Sequence, residues 1–391
     1  MKIIIHRGTH QIGGCVTEIK TDNTRMFIDM GSELDPGDSS SLKIEGVTKG
    51  ESECDAVLFS HYHGDHIGMI EKINDDIPIY IGKAAKEILE IFNEQTKRYS
   101  VNKVARLDTY RQAVPIMIGE LKVTPFSVDH SAYDSYMFLI EANGFRILHT
   151  GDFRTTGFRG KGVVPMLSKY VGKIDVLITE GTLLTRSNNK MITERDIMAS
   201  AKELIREHKY VFLLCSSTNI DSLAAFYNAT PKGKYFICDQ YQKDIFECVK
   251  KYSEKYTPLY GFKKALTYGR NLLPKLKDRG FCMVVRATPC FAKKMEQFDR
   301  SESIIVYSMW EGYKKNSRMR AFLDGFAFKD IHTSGHADIQ TIKDVCRTVS
   351  PQVVIPIHCE DPDEFKELDL QADVMVLQDK EMIELDNFII N

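Results

Sequence analysis

Short apolar runs separated by polar turns mark the first part of the chain, and this pattern predicts a β-rich domain. Lys2–His6, Val16–Lys20 and Met26–Asp29 are expected to form hairpins at a sheet edge. Amphipathic helices are predicted at His66–Ile73 and Ala84–Phe92. The remaining predicted strands of this part are Asp55–Ser60, Ile77–Ile81, Leu121–Val128, Tyr136–Glu141, Phe145–His149 and Lys173–Thr179.

After Thr179 the pattern changes to helices and strands rich in lysine and arginine, and the first pattern returns near position 330. An alternation of helix and strand predicts a second α/β domain between the two stretches. Its predicted elements are helix Ala201–Glu207, strand Tyr210–Leu214, helix Asp221–Asn228 and strand Tyr235–Cys238. The closing stretch is predicted to contain strand Phe328–His332, helix Ile339–Thr348, and strands Val353–Ile357 and Met382–Leu385.

The composition is that of a globular protein with room for two cores, at 391 residues and 43% hydrophobic. The opening apolar run is too short for a signal peptide, and no stretch approaches the roughly 18 apolar residues of a membrane span. Nine cysteines without any Cys-x-x-Cys pair do not suit a secreted disulfide framework. We therefore expect a cytoplasmic protein with reduced, mostly buried thiols.

The formal net charge of −2 hides an uneven distribution of charge. Residues 1–185 contain 21 Lys and Arg against 25 Asp and Glu, and residues 331–391 contain 4 against 13. Residues 186–330 contain 27 against 16, a net charge of +11. A segment this basic favours a surface that faces a polyanion, and a solvated basic face without a partner is the alternative.

Three histidines and an aspartate occupy a short stretch directly after a predicted strand, in Ser60-His-Tyr-His-Gly-Asp-His66. In an extended turn His61 and His63 point to the same side, while Asp65 and His66 at a helix entry can reach a second ion nearby. Without a metal such a cluster would repel itself once protonated. The motif therefore predicts a metal site, with a histidine-rich surface loop as the alternative.

An open site with few ligands requires further ligands downstream, and candidates follow three other apolar runs. These are His130, Asp152 and His358. Any one of them alone would more often be an ordinary loop residue, but their shared position at strand ends indicates a single site. Asp29 is predicted to orient a ligand without binding metal, and a turn aspartate is the alternative.

These motifs resemble those of metallo-β-lactamase-fold hydrolases of the β-CASP family, the family of ribonuclease J and the cleavage-factor nucleases, over essentially the whole chain. The resemblance implies an α/β protein with a four-layered αββα metallo-β-lactamase fold. Residues 1–185 and 331–391 would form that fold, and residues 186–330 would be an inserted α/β β-CASP domain. The matching β-CASP marks are Thr179-Glu180-Gly-Thr182, Thr333-Ser-Gly-His336-Ala-Asp338 and Pro356-Ile-His358.

The resemblance also implies the ligand sets of two divalent metal ions, for which zinc is favoured and manganese is the alternative. It assigns one ion to His61, His63 and His130, the other to Asp65, His66 and His358, and the bridging position to Asp152. Two ions about 3.5 to 4 Å apart can share a water and lower its pKa toward roughly 7, which supplies hydroxide at neutral pH.

Proton transfer and substrate binding need further groups. We predict Asp65, His336 and Glu180 as catalytic residues, with His336 tuned by Glu180. Phosphate contacts are predicted at Ser334 and Gly335. The remaining candidates are His332, with a structural histidine as the alternative, and Ser217, whose loop could equally be a plain helix N-cap.

The predicted function is a metal-dependent ribonuclease that hydrolyses phosphodiester bonds through a hydroxide bound by two metals. The alternative is a hydrolase of this fold that acts on DNA or on a small ester or thioester. A small substrate does not require the basic inserted segment, and DNA-acting members typically have valine where this chain has His358. A third possible function, that of a flavodiiron-type redox protein, is disfavoured because such a protein would carry glutamate where this chain has His63.

The partner, the oligomeric state and the mode of cleavage are less sharply defined by the sequence. RNA is the expected partner, and a homodimer is allowed. The chain stops about 30 residues after His358, whereas ribonuclease J continues into another domain, so processive action is not assumed. Exonuclease and endonuclease action are both compatible with the sequence.

Overall fold

The structure, a computed structural model, describes residues 1–34, 42–186 and 191–387. The strands within these ranges are β1 Lys2–Arg7, β2 Val16–Lys20, β3 Arg25–Ile28, β4 Ala56–Leu58, β5 Ile79–Gly82, β6 Asp108–Tyr110, β7 Ile116–Ile118, β8 Leu121–Val128, β9 Ser135–Ala142, β10 Phe145–His149, β11 Val176–Glu180, β12 Tyr210–Cys215, β13 Tyr235–Cys238, β14 Ala265–Thr267, β15 Phe281–Val285, β16 Ser303–Ser308, β17 Phe328–Asp330, β18 Val353–Ile357, β19 Asp373–Val374 and β20 Met382–Glu384. The α-helices are α1 Gly64–Ile67, α2 Lys83–Thr96, α3 Val101–Ala105, α4 Val163–Met166, α5 Glu194–Glu207, α6 Ile220–Ala229, α7 Gln240–Ser253, α8 Leu273–Arg279, α9 Pro289–Met295, α10 Ser317–Leu323 and α11 Ile339–Val349. Among the described residues, no helix is both long and apolar enough to cross a lipid bilayer.

The contacts divide the described chain into two compact units. The first unit contains Met1–Thr155, Arg159–Asn189 and Gly335–Asn391, apart from the undescribed positions. The second unit contains Thr156–Phe158 and Lys190–Ser334. The domain boundaries given above, at positions 186 and 330, stay a prediction.

Two seven-stranded sheets form the centre of the first unit. Their strand orders are β20-β1-β2-β3-β4-β5-β6 and β19-β18-β11-β10-β9-β8-β7. A common core contains inward residues of both sheets, such as Ile28 and Leu58 from one and Phe138 and Ile355 from the other. Burying each such side chain stabilises the fold by about 1.5 to 3 kcal/mol.

Helices cover the outer faces of this pair of sheets. Met137 and Leu139, which alternate with Phe138 along β9, pack on the side of α4 and α11 in a second cluster with Leu167 and Val345. Helix α2 packs against β5 and β6 of the other sheet. The first unit is therefore built in four layers, helix, sheet, sheet and helix, as expected from the sequence.

The second unit is built around one parallel sheet of six described strands, in the order β14-β13-β15-β12-β16-β17. Helices connect successive strands, which is the usual route between parallel neighbours. Its core contains Phe212, Leu214, Met283 and Ile305 from the central strands, with Phe291 from α9. The predicted α/β character of this part is confirmed in the described residues.

The helix predicted at His66–Ile73 is broken. Helix α1 ends at Ile67, and a separate 3₁₀ turn follows at Ile70–Lys72. The loop after β3 causes this break, because Met30 donates a hydrogen bond to the His66 carbonyl and accepts one from the Met69 amide. Ile67, Ile70 and Ile73 are buried as an amphipathic segment requires, but the backbone groups that a continuous helix would need are bonded to the loop after β3.

Candidate metal centre

The predicted metal ligands of the first unit lie at one edge of its two sheets. Strands β10, β11 and β18 run parallel, so Asp152, Glu180 and His358 come from the same edge. Strand β8 runs in the direction of β10, because both are antiparallel to β9, and His130 follows it. The loop after β4 contributes His61–His66 from the facing sheet.

The backbone around this loop is closely packed. A Cβ atom on Gly31 would lie 1.7 Å from the Asp65 carbonyl oxygen, so only glycine fits there. The Ser32 amide donates to the Gly64 carbonyl, and the Cys15 amide donates to that of Asp65. These bonds fix the start of α1 and with it the directions of Asp65 and His66.

His61, His63 and His130 form the first ligand group, with their ligand nitrogens all within 4.8 Å of one another. His63 Nδ1 lies 3.2 Å from His130 Nε2. His130 Nδ1 donates to the Gly335 carbonyl at 2.6 Å, which leaves Nε2 as the unprotonated nitrogen that faces the group.

Asp65, His66, Asp152 and His358 form the second group, also within 4.8 Å. Asp152 Oδ2 lies 3.2 Å from His66 Nε2 and 3.7 Å from His358 Nε2. The same oxygen lies 3.9 Å from the Nε2 atoms of His61 and His130 in the first group. One carboxylate therefore faces both groups, as a ligand shared by two cations would.

Two buried candidate ligand atoms make no hydrogen bond within the described part of the chain, namely His61 Nε2 and Asp152 Oδ1. Leaving such an atom unsatisfied costs about 1 to 3 kcal/mol. The His66 ring is held in place, because its Nδ1 lies 2.7 Å from Asp29 Oδ2. Buried nitrogens and carboxylate oxygens in this arrangement fit divalent cations such as zinc or manganese.

The protonation states of His61, His63, His130 and Asp65 agree with this fit, whereas at His66 the carboxylates of Asp152, Asp29 and Asp65 outweigh burial and raise the pKa, so a bound cation would have to displace a proton there. Burial is the largest influence on His61, His63 and His130 and lowers the pKa of each, to about 4 for His63, so all three are neutral at pH 7. Burial would raise the pKa of Asp65, but His66 and His358 outweigh it and lower that pKa. Neutral imidazoles and an ionised carboxylate are the forms that bind metals.

His336 lies beside the second group and is paired with a carboxylate. Its Nδ1 is 2.9 Å from Glu180 Oε2 and 3.6 Å from Asp152 Oδ2. Glu180 Oε1 accepts a hydrogen bond from the Phe153 amide at 2.8 Å. Burial lowers the pKa of His336, but Glu180 and Asp152 outweigh burial and raise the pKa to about 9.

The predicted substrate-binding residues are divided between the two units. Gly335 belongs to the first unit, and its carbonyl is already the acceptor for His130. Ser217, His332 and Ser334 belong to the second unit, where Ser217 Oγ accepts from Arg286 Nη1 at 3.3 Å. The N-cap of α6 is Asn219, which lies in the same loop as Ser217. Phosphate binding by these residues stays a prediction.

Several residues of the centre were not identified from the sequence. Thr182 Oγ1 lies 2.7 Å from His358 Nδ1, and Ser60 donates to both carboxylate oxygens of Asp29 through its amide and hydroxyl. Cys15 Sγ lies within 4.8 Å of ligand nitrogens of His66 and His358. Thr182 stands inside the acidic mark, which is the one signal that pointed toward it.

Comparison with known proteins shows which families and relatives this chain resembles. Residues 30–212 match the beta-lactamase superfamily domain. A probable RNase of Methanocaldococcus jannaschii is 24% identical over 200 residues, which cover 46% of this chain and 45% of the relative. Ribonuclease J of the same organism is 25% identical over 429 residues, with 92% of this chain and 91% of the relative covered.

The chain spans roughly half the length of the first curated relatives it matches. Among solved structures, a protein of unknown function from Enterococcus faecalis V583 superposes with a TM-score of 0.79 at 18% sequence identity. The superposition covers 98% of this chain and 99% of the other. This likeness confirms the predicted fold and carries no statement about activity.

Proposed function

This chain belongs to the β-CASP group of metallo-β-lactamase-fold proteins, the group of ribonuclease J, and from that premise we propose that it is a metal-dependent ribonuclease. A divalent-metal requirement is part of the proposal, with zinc as the favoured ion and manganese as the alternative. A cytoplasmic location and a homodimer stay predictions. The proposal is carried by the geometry around Asp152.

Asp152 is the observation that favours two cations over one. Its Oδ2 lies within 4 Å of nitrogens from both ligand groups, while its Oδ1 is buried without a hydrogen bond in the described residues. His61, His63 and His130 would hold one ion, and Asp65, His66 and His358 the other. When bound, such a pair supplies an activated water and stabilises charge on phosphate oxygens.

The protein's own proton donor in this proposal is His336. With its pKa raised to about 9, the imidazole is protonated at neutral pH, and Nδ1 faces Glu180. Nε2 is then the atom that can donate a proton to the departing oxygen or stabilise a phosphate oxygen. Glu180 is a positioning residue, because its other oxygen is fixed by the Phe153 amide.

A polynucleotide is favoured over a small ester by the charge distribution. Residues 186–330 carry a net charge of +11, while residues 1–185 and 331–391 are both acidic. Lysine and arginine on an extended surface bind a phosphate backbone through release of counterions. A small neutral ester offers no such gain, so the charge distribution supports a polynucleotide, and the likeness to ribonuclease J favours RNA over DNA.

Incubation of purified protein with 5′-monophosphorylated and 5′-triphosphorylated RNA, with sequence-matched single-stranded DNA alongside, tests the proposal. We expect loss of RNA that stops when a chelator is added, and the product lengths will distinguish exonuclease from endonuclease action. Asp65→Ala and His66→Ala should abolish cleavage while circular dichroism stays unchanged. His208→Ala, a histidine substitution in the second unit, is the matched control and should cleave normally.

Full RNA cleavage by both Asp65→Ala and His66→Ala would remove the metal mechanism. Cleavage of DNA as fast as RNA would contradict RNA as the specific substrate class. Cleavage of neither polymer, with hydrolysis of a small thioester instead, would favour the alternative function.

A further inference from the structure

The outer edge of the sheet in the second unit is formed by β17. Its three residues are all exposed, and β17 pairs with β16 alone among the described strands. Phe328 is in register with the buried Ile305, and Asp330 with the buried Tyr307. An edge strand that exposes a large aromatic side chain to water is unusual unless something binds there.

Three large aromatic side chains are half exposed at this edge. Trp310 is 46% exposed, Tyr313 49% and Phe328 47%. The rings of Trp310 and Tyr313 are 5.3 Å apart, edge to face. Lys314 joins them to the edge strand, because its Nζ lies 5.3 Å from the Phe328 ring centroid and pairs with Asp330. We call Trp310, Tyr313, Lys314 and Phe328 the aromatic patch.

The backbone holds the aromatic patch in place. Tyr307 donates its hydroxyl hydrogen to the Trp310 carbonyl at 2.8 Å, and the Tyr313 amide donates to the same oxygen. A Cβ atom on Gly312 would lie 2.3 Å from the Trp310 ring, so the indole rests directly against the backbone there. The aromatic side chains are therefore presented by a fixed turn and a strand, which keeps the entropic cost of binding low.

The surroundings of the patch are basic. Between Met309 and Asp330 the sequence has five Lys and Arg and three Asp and Glu, and one of the acids, Asp330, is paired with Lys314. The other cations of this stretch are all exposed. They are Lys315, Arg318, Arg320 and Lys329.

We propose that the aromatic patch is a binding surface for single-stranded RNA, on which unpaired bases stack while the neighbouring cations contact phosphates. Aromatic rings interleaved with basic side chains are the usual platform for unpaired bases. A protein interface would be expected to exclude lysine from its centre, whereas here Lys314 directly follows Tyr313 and its ammonium contacts the Phe328 ring. The inference takes RNA as ligand from the proposed function, but it concerns binding and not hydrolysis.

The chain has one tryptophan, Trp310, so intrinsic tryptophan fluorescence reports on the patch alone. The probe is a 12-nucleotide oligoadenylate with phosphorothioate linkages to slow cleavage. We expect saturable quenching, since a stacked base quenches the indole. Polyphosphate has charge without bases, and double-stranded RNA of equal length has bases that are already stacked, so neither should quench comparably.

Substitutions then separate stacking from folding. Phe328→Ala and Tyr313→Ala should each weaken oligoadenylate binding roughly 5-fold or more, the lower end for loss of one stacking ring. Trp310→Phe, followed with dye-labelled RNA, should retain most of the affinity that Trp310→Ala loses. Tyr256→Ala removes a ring that is 86% exposed elsewhere in the second unit and should leave affinity unchanged.

The inference is overturned if oligoadenylate leaves the fluorescence unchanged, or if the patch variants bind as tightly as the unaltered protein while RNA cleavage persists. It is also overturned if Phe328→Ala changes the molar mass in solution without changing RNA affinity, because the patch would then join copies of the chain. If oligoadenylate quenches the Trp310 fluorescence but RNA is not cleaved, the proposed function is contradicted and the inference about RNA binding at the patch is still supported.

Discussion

Glu18 is a buried carboxylate between β1 and β3, held by two basic neighbours. Its Oε2 lies 2.6 Å from His6 Nε2, and its Oε1 accepts from Arg25 Nε at 2.9 Å. Burial would raise the pKa of Glu18, but the hydrogen bonds with His6 and Arg25 outweigh burial and lower the pKa from 4.5 to about 2. The ionised carboxylate therefore stabilises the fold above pH 4.5, and this contribution is lost as the pH falls from about 4.5 to about 2.

We expect Glu18→Gln to lower the free energy of unfolding by about 2 to 3 kcal/mol at neutral pH, and by progressively less below about pH 4.5. Urea unfolding of both proteins across this pH range measures the difference. Glu141→Gln is the control, because Glu141 pairs with Lys122 and Arg146 at a partly exposed place and should cost less than about 1 kcal/mol. A difference for Glu18→Gln that is independent of pH would contradict this account.

Substitution of His336 tests whether this residue transfers protons without binding metal. We expect His336→Ala to lower the cleavage rate about 10²- to 10⁴-fold, because the proton donor is lost, and to leave the metal content unchanged. Glu180→Gln should lower the rate less, since His336 stays in place without its carboxylate partner. Elemental analysis of each variant, together with its cleavage rate, distinguishes a proton donor from a metal ligand. Loss of metal in His336→Ala would show that His336 is a metal ligand.

Three of the five histidines predicted to bind metal were conspicuous in the sequence, because they lie within six adjacent positions after one strand. The groups that hold these rings could not be read in this way. The carbonyl of Gly335 lies 205 positions from His130, and the hydroxyl of Thr182 lies 176 positions from His358. Every residue has a carbonyl, so the acceptor role of Gly335 leaves no local sequence pattern. Hydroxyl side chains are common, so Thr182 is distinguished only by its place in the acidic mark.

At the scale of elements, helix α11 connects the His336 segment to the outer layer. Asp338 is its N-cap and accepts a hydrogen bond from the Thr341 amide at 2.7 Å. Ile342, Val345 and Val349 are buried on one face. The cap and this apolar face together fix where the helix begins, four residues after Gly335.

Asp338→Ala should lower the free energy of unfolding by about 1 kcal/mol, because an orphan amide at the helix start loses its acceptor. Asp338→Asn keeps an acceptor and should cost only a few tenths of a kcal/mol. Urea unfolding of both variants measures the effect. Unchanged stability combined with lost RNA cleavage in Asp338→Ala would show that Asp338 takes part in the chemistry instead.

Element boundaries were predictable where turn-forming or polar residues flank a strand on both sides. Leu121–Val128, Phe145–His149 and Val353–Ile357 are observed with the bounds that the sequence predicted. Helix α5 instead begins at Glu194, seven residues before the predicted start at Ala201. Its first turn is polar, and the start is set by a capping box between Thr193 and Asp196 that the apolar pattern does not reveal.

At the scale of the whole molecule, the first strand and the last described strand pair within the first unit. Strand β20 pairs antiparallel with β1, with Lys2 opposite Glu384, and the N-terminal ammonium lies 2.8 Å from Asp386. The sequence predicted a closing strand here but not its partner. A strand of three residues has too few side chains to specify a neighbour more than 370 positions away, so pairing follows from the packing of the rest of the unit.

The central claim is that RNA hydrolysis depends on divalent cations held by the histidines and aspartates around Asp152. The most direct test strips the protein of metal with a chelator and measures the rate of RNA cleavage as zinc or manganese is returned in known molar amounts. We predict no cleavage without metal and a rate that rises to a plateau near two equivalents per chain. Full cleavage by the metal-free protein, or no cleavage of RNA at any metal concentration, would contradict the account.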